Sequence, residues 1–100
     1  MNVTITTTAG QTLVVVEGRV DTTNSGEFEK QLAELFKQPQ PDIVMDCSEF
    51  SYISSSGLRI FLTLQKYVNA HKGKFVVRNM QSAVKEVFDM TGFSNVFTII

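Results

Sequence analysis

Three consecutive serines followed by a glycine, at residues 54–57, form the stretch of this chain with the clearest potential for chemistry. They stand between an apolar run at residues 43–45 and a helical pattern that begins at Leu58. The first turn of a helix carries backbone N–H groups without intrahelical acceptors, and the aligned peptide dipoles add partial positive charge there. A serine at this position can place its hydroxyl, or a phosphate added to it, against those donors. The alternative is that Ser54 or Ser55 is only the N-cap of the helix.

The residues that could support catalysis or metal binding do not form a recognisable arrangement. The Gly-x-Ser-x-Gly pattern of hydrolase nucleophiles is absent, because no glycine stands two residues before any of these serines. His71, the only histidine, is expected at the opposite end of the helix from Ser55, where it cannot act as a base for that serine. Asp21, Asp46 and Glu49 could line one cleft, but three acids without a histidine are a weak basis for a metal site. The sequence therefore predicts a protein that is not an enzyme, with no cofactor and no metal ion.

The size and composition of the chain favour one compact domain that spans residues 1–100. Of these residues, 43% are hydrophobic and 19% are charged, and the formal net charge is −1. Because the sequence has no basic run or stripe, a direct nucleic-acid partner is not expected. No apolar run approaches the ~18 residues of a membrane span, and the N-terminus does not resemble a signal peptide. Cys47 is the single cysteine, so no internal disulfide is expected. These properties predict a cytoplasmic protein.

Runs of apolar and β-branched residues predict five strands. Residues 3–6 alternate between apolar and polar, as in a half-buried edge strand. Residues 13–16 are continuously apolar, which is typical of a strand covered on both faces. Because a turn signal at Gly10 separates them, these two strands are expected to form a hairpin. Three further strands are predicted at residues 43–45, 75–77 and 96–100.

Helical patterns separate the later strands. The first helix is expected to begin at Asn24, which has capping-box spacing to Glu27, and to end before Pro39. The second follows the serines and runs to about Asn69. The third is expected to begin with Ser82 as its N-cap. Each helix would therefore connect two strands of the predicted sheet.

The second helix has more apolar surface than contact with a sheet requires. Its apolar residues form two adjacent stripes, with Leu58, Phe61, Leu62 and Val68 in one and Ile60, Leu64 and Tyr67 in the other. The surplus is expected either to pack on a neighbouring helix or to form a surface for a partner.

The predicted order is β-β-α-β-α-β-α-β, an α/β fold with a mixed, mostly parallel sheet and an N-terminal β-hairpin. In open sheets of this kind, the loops at the carboxyl ends of the strands carry the binding site. Two such loops, residues 18–24 and 46–56, are rich in hydroxyl and acidic side chains. We expect them to lie side by side.

Three segments of the chain together carry a family pattern. Residues 18–21 read Gly-Arg-Val-Asp, and residues 87–93 read Val-Phe-Asp-Met-Thr-Gly-Phe. The central segment, residues 46–58, contains Asp-Cys-Ser, then Phe50, then Tyr-Ile-Ser-Ser-Ser-Gly-Leu. These segments resemble the STAS domain family, in particular the bacterial anti-sigma factor antagonists. The resemblance spans nearly the whole chain with the right order and spacing, and it implies a STAS-type single domain.

The resemblance implies a regulatory function controlled by phosphorylation. In these antagonists, an anti-sigma factor that is also a serine kinase phosphorylates a serine just ahead of the Ser-Gly-Leu segment. The unphosphorylated antagonist binds the anti-sigma factor and frees the sigma factor, and a serine phosphatase reverses the modification. The matching residue here is Ser55. The family usually has an aspartate before this serine, and Ser54 takes that place here, so Ser54 and Ser56 remain alternatives.

The resemblance also implies a partner-binding surface and leaves one alternative function. The expected surface comprises two groups of residues: Asp21, Thr22, Thr23 and Asn24 in the first loop, and Ser54, Ser55, Ser56, Gly57, Leu58 and Arg59 in the second. Many members of the family carry a further helix after the last strand, and its absence here would expose part of the sheet or of the second helix. The alternative is a non-phosphorylated STAS subunit of a lipid- or anion-transport complex or another multiprotein assembly.

Overall fold

The computed structural model describes all 100 residues and contains five strands, three α-helices and two 3₁₀ segments. In chain order these are β1 (Asn2–Thr8), β2 (Gln11–Val20), α1 (Ser25–Gln31), a 3₁₀ segment (Ala33–Lys37), β3 (Asp42–Ile53), α2 (Ser55–Ala70), β4 (Lys74–Arg78), α3 (Ser82–Met90), a second 3₁₀ segment (Phe93–Asn95) and β5 (Thr98–Ile99). None of the helices has both the length and the apolar character needed to cross a membrane. The predicted order of strands and helices is confirmed.

The strands form one sheet in the order β1-β2-β3-β4-β5. β1 pairs antiparallel with β2, and every other pair of neighbours is parallel. The predicted hairpin and mostly parallel sheet are therefore confirmed. The connections from β2 to β3, from β3 to β4 and from β4 to β5 all run in the same direction across the sheet. Because such crossovers are right-handed, all three helices lie on one face of the sheet.

The opposite face of the sheet has no helical layer, so the expectation that residues 13–16 are covered on both faces is wrong. Val14 and Val16 are fully buried beneath the helices, whereas Leu13 and Val15 point the other way and are only half-buried. β-branched residues suit the shape of a pleated, half-buried surface, so a continuous apolar run does not require two covering layers.

β3 is much longer than predicted. The sequence suggested a strand that ended at residue 45, with a loop over residues 46–56, but the strand continues to Ile53. Its buried positions are two residues apart up to Cys47 and three residues apart afterwards, at Phe50 and Ile53. Register shifts in the pairing with β2 accompany this change, because an extra residue in a strand re-aims the side chains that follow it. The second half of β3 therefore has no strand-like period in the sequence.

The first helix is shorter than predicted and begins differently. α1 ends at Gln31, and the chain then continues as the 3₁₀ segment to Lys37. The expected capping box does not form. The side chain of Asn24 accepts a hydrogen bond from the backbone N–H of Asp21 instead of capping the helix. Glu27 is bonded to Gln31, one turn further along α1.

The last third of the chain departs from the prediction in two places. Ser82 is the first residue of α3 rather than its N-cap, and this helix has no side-chain cap. Gly92 adopts a left-handed conformation with φ of 77°, which ends α3 and leads into the second 3₁₀ segment. The last strand is therefore only Thr98–Ile99, and Val96, predicted to begin it, is 46% exposed.

Phe61 of α2 lies at the centre of the core between the helices and the sheet. It is fully buried, and its ring centroid lies between 5.6 and 6.4 Å from those of five other rings: Phe28, Phe50, Phe75, Phe88 and Phe97. On the adjacent stripe, the Tyr67 hydroxyl donates to the Gln38 carbonyl at 2.6 Å, and its ring centroid lies 5.3 Å from that of Phe36. This surplus apolar surface of α2 therefore packs on the neighbouring helical segment.

Candidate partner-binding site

Ser54 is the N-cap of α2. Its backbone is extended, and its Oγ accepts a hydrogen bond from the backbone N–H of Gly57 at 3.3 Å. The same Oγ is 2.8 Å from the Oγ of Ser56. Ser54 is only 8% exposed. Ser54 is therefore the serine that caps α2, as one of the alternatives predicted. The hydroxyls of Ser54 and Ser56 are hydrogen-bonded to each other.

Ser55 differs from both of its serine neighbours. It is the first residue of α2, it is exposed, and its hydroxyl makes no hydrogen bond within the protein. Ser56 is half-buried, with its hydroxyl held by Ser54. Of the three serines, Ser55 alone therefore presents a free hydroxyl at the molecular surface.

The ends of β2 and β3 bring the two predicted loops together, as expected from the parallel pairing. Val20 pairs with Ile53, and the backbone N–H of Ser54 donates to the Val20 carbonyl at 2.9 Å. Gly57 packs directly on these strand ends, since a Cβ added to it would lie 2.9 Å from Val20 Cγ1 and 3.0 Å from Ile53 Cγ1. A side chain at this position would push the start of α2 away from the sheet.

Asp21 organises the loop between β2 and α1. Its Oδ1 accepts hydrogen bonds from the backbone N–H groups of Thr23 at 2.9 Å and Asn24 at 3.3 Å, and from the Thr23 hydroxyl. The Asn24 side chain completes the loop by donating to the Arg19 carbonyl. These contacts, chiefly the hydrogen bond from the Thr23 hydroxyl, hold the pKa of the Asp21 carboxyl below its usual value. Asp21 is thus an ionised residue that shapes a loop beside the serines, while Thr22 and Thr23 are exposed.

A groove opens beside Ser55, between the start of α2 and the segment that follows α3. We call it the helix-end groove; its volume is about 260 Å³, and its lining comprises Ser55, Leu58, Arg59, Leu62, Thr91 and Phe93. Leu58 is only 2% exposed and Gly57 is buried. A partner at this end of α2 would therefore contact mainly the exposed side chains around the groove. Arg59 is exposed at its side.

Thr91 and Phe93 were not predicted as site residues. Both lie in a segment that resembles the STAS family, but nothing in the residue types signals a groove. Their contribution arises because the turn at Gly92 brings the chain back toward α2, which no spacing within α2 could reveal.

The other residues considered for catalysis or metal binding make local contacts within the fold. His71 stands at the C-terminal end of α2, as predicted, with its Nδ1 2.8 Å from the Tyr67 carbonyl oxygen. The Asp46 carboxylate accepts from the backbone of Ser48 and from Arg78, and the Ser48 contact is the chief cause that lowers its pKa to about 2. Burial raises the pKa of the Cys47 thiol to about 12. No group of three or more potential metal ligands comes together.

These features define a class of protein: a two-layer α/β domain in which a free serine hydroxyl stands at a helix start, beside the carboxyl ends of two parallel strands. The chain belongs to the STAS domain family, whose profile matches residues 2–100.

Similar proteins are named for one function. A relative from Bordetella bronchiseptica, named "Putative anti-sigma factor antagonist BtrV", is 29% identical over 99 residues, which cover 99% of this chain and 85% of that protein. An anti-sigma factor antagonist from Mycobacterium paratuberculosis has a similar fold, with a TM-score of 0.86 and 21% identity over 98% of this chain and 83% of that one. The phosphorylated form of SpoIIAA from Bacillus has a TM-score of 0.74 and 16% identity over 99% of this chain and 91% of that one.

Proposed function

We propose that this protein is an anti-sigma factor antagonist that is switched by phosphorylation of Ser55. In this proposal residues 1–100 act as one STAS domain in the cytoplasm. The unphosphorylated protein binds an anti-sigma factor with serine kinase activity and thereby releases a sigma factor. A serine phosphatase removes the phosphate and restores the form that can bind the anti-sigma factor. The single observation that carries the proposal is the exposed, unbonded hydroxyl of Ser55 at the start of α2.

The names of similar proteins support the regulatory part of this proposal. The Bordetella relative is named for anti-sigma factor antagonism and is matched over 99% of this chain and 85% of its own length. SpoIIAA has the same fold, and its structure is described in a phosphorylated form. Ser54 and Ser56 fit the role of phosphoacceptor less well, because the hydroxyl of each is already engaged in the cap of α2.

The position of Ser55 explains how one phosphate could control binding. The modification adds roughly −1.5 to −2 charges and three acceptor oxygens. Positive potential at the start of α2 favours that charge within the protein, so the fold can stay unchanged. A partner packed over the helix-end groove, however, would have to desolvate the phosphate beside the half-buried apolar side chains of Leu62 and Phe93. Binding should therefore weaken without any rearrangement of the antagonist.

Phosphorylation can be tested by mass spectrometry. The anti-sigma factor that binds this protein in its native cell would be identified by crosslinking, purified and incubated with the protein and ATP. We expect one added phosphate, on Ser55, and no added phosphate on Ser55→Ala.

A phosphate on Ser54 or Ser56 would contradict the residue assignment but leave the regulatory function in place. If the purified anti-sigma factor phosphorylated a control substrate but added no phosphate to this protein, the alternative of a STAS subunit in a larger assembly would be favoured.

Asp21 is proposed to belong to the same partner surface, together with Thr22, Thr23 and Asn24. Its loop adjoins the serines through the bond between Ser54 and Val20. Asp21→Asn removes the negative charge but keeps an oxygen that can accept the loop hydrogen bonds. We expect Asp21→Asn to unfold at nearly the same temperature as the native protein and to bind the anti-sigma factor about tenfold more weakly in calorimetric titrations, a loss of about 1.4 kcal/mol.

Asp21→Ala is the matched comparison, since it removes both the charge and the loop contacts. If Asp21→Asn bound normally while Asp21→Ala lost stability and affinity together, Asp21 would be a structural residue of the loop and would not contact the partner.

A further inference from the structure

Arg59 is the one charged residue in the lining of the helix-end groove. It lies one helical turn after Ser55 on α2 and is exposed. The ion pairs of the protein join Arg78 to Asp46 and Lys85 to Asp89, so the guanidinium of Arg59 has no acidic partner. Arg59 is therefore an exposed cation that is free to bind an anion beside the proposed modification site.

We propose that Arg59 is the residue that receives the phosphate of phosphorylated Ser55. The inference rests on the proposed function in one respect, namely that Ser55 is the modified serine. Residues four apart on a helix are neighbours, with Cβ atoms ≈ 5–6 Å apart. The flexible arginine stem can span that separation, and its planar guanidinium can donate two parallel hydrogen bonds to phosphate oxygens.

The other groups near Ser55 leave this role to Arg59. The backbone N–H of Gly57 already donates to Ser54 Oγ, so fewer backbone N–H groups at the N-terminal end of α2 are free to bind a phosphate. Arg19 lies over the ring of Tyr52, with its Cζ 4.4 Å from the ring centroid. The nearby loop carboxylate of Asp21 is ionised and would repel a phosphate. A cation on α2 itself is therefore the natural counter-charge.

This contact would fix where the phosphate stands. Held by Arg59, the phosphoryl group lies over the helix-end groove instead of extending into solvent. It would then cover the half-buried side chain of Leu62 and occupy the space that a partner side chain needs. Arg59 is thus a positioning residue that converts a mobile charge into a steric and electrostatic block.

The test uses the full chain with phosphoserine incorporated at position 55 during translation, so that neither kinase nor partner is required. The second ionisation of the phosphate, near pH 6 in free phosphoserine, is followed by ³¹P NMR. We expect Arg59→Ala to raise this phosphate pKa by at least about 0.5 pH unit, because a nearby cation favours the dianion. Arg59→Lys should restore most of the difference.

Lys66→Ala is the matched control, since it removes one positive charge from an exposed position about three turns from Ser55 on the same helix. It should titrate like the unsubstituted phosphoprotein. Equal phosphate pKa values in the unsubstituted protein and Arg59→Ala would overturn the inference, as would equal effects of Arg59→Ala and Lys66→Ala. Neither result would bear on whether the kinase modifies Ser55, so the two proposals fail separately.

Discussion

Replacing Phe61 by alanine should lower the free energy of unfolding by about 3–5 kcal/mol, measured by urea denaturation at 25 °C. Phe61 is fully buried and meets five other rings that belong to α1, β3, β4, α3 and the turn before β5. The truncation removes the central ring of this cluster and leaves a cavity that rigid neighbouring elements cannot close. Small domains have total stabilities of about 5–15 kcal/mol, so the variant should be near the limit of folding.

Phe36→Ala is the matched control for this loss. Phe36 is also an aromatic residue in a helical segment, but it is half-buried and packs at the edge of the core against Tyr67. Its truncation should cost about 1–2 kcal/mol, because most of the vacated space is open to solvent. If the two variants were equally stable, Phe61 would not be the centre of the core.

A serine cap on α2 could be predicted from the sequence because its signals are local, although α2 begins at Ser55, three residues before the expected Leu58. A run of hydroxyl residues before an apolar helical pattern marks an N-terminus wherever it occurs, and Ser54 does cap α2. The same holds for the order of strands and helices, which follows from runs such as residues 43–45 and 75–77. Parallel pairing then requires the ends of β2 and β3 to meet, as Val20 and Ser54 do.

The features that the sequence did not reveal depend on contacts between distant residues. The second half of β3 has no regular period, because its side chains follow the shifted pairing with β2. Asn24 has the spacing of a capping residue, but a bond to Asp21 occupies its side chain. The helix-end groove joins Ser55 to Phe93, which are 38 residues apart, so only the folded chain brings its lining together.

Ser55→Asp should weaken binding of the anti-sigma factor by roughly tenfold to a hundredfold, or about 1.4–2.7 kcal/mol. The carboxylate would lie beside the helix-end groove, where a docking partner would have to desolvate this carboxylate. In the isolated protein the same charge lies in the first turn of α2, where the helix dipole stabilises it by about 0.3–1 kcal/mol. Calorimetric titration would measure the affinity, and thermal unfolding should show a melting temperature equal to or slightly above that of the native protein.

Ser55→Ala separates the effect of charge from the loss of the hydroxyl. Because the Ser55 hydroxyl bonds to nothing within the protein, its removal should leave the fold intact and the affinity close to native. Ser55→Ala should also keep its affinity after incubation with kinase and ATP, whereas the native protein should lose affinity under the same conditions. Aspartate carries less charge than a phosphate, so the native phosphoprotein should bind more weakly than Ser55→Asp. Equal binding by the aspartate and alanine variants would show that charge at Ser55 does not control the interface, even if the kinase modifies this serine.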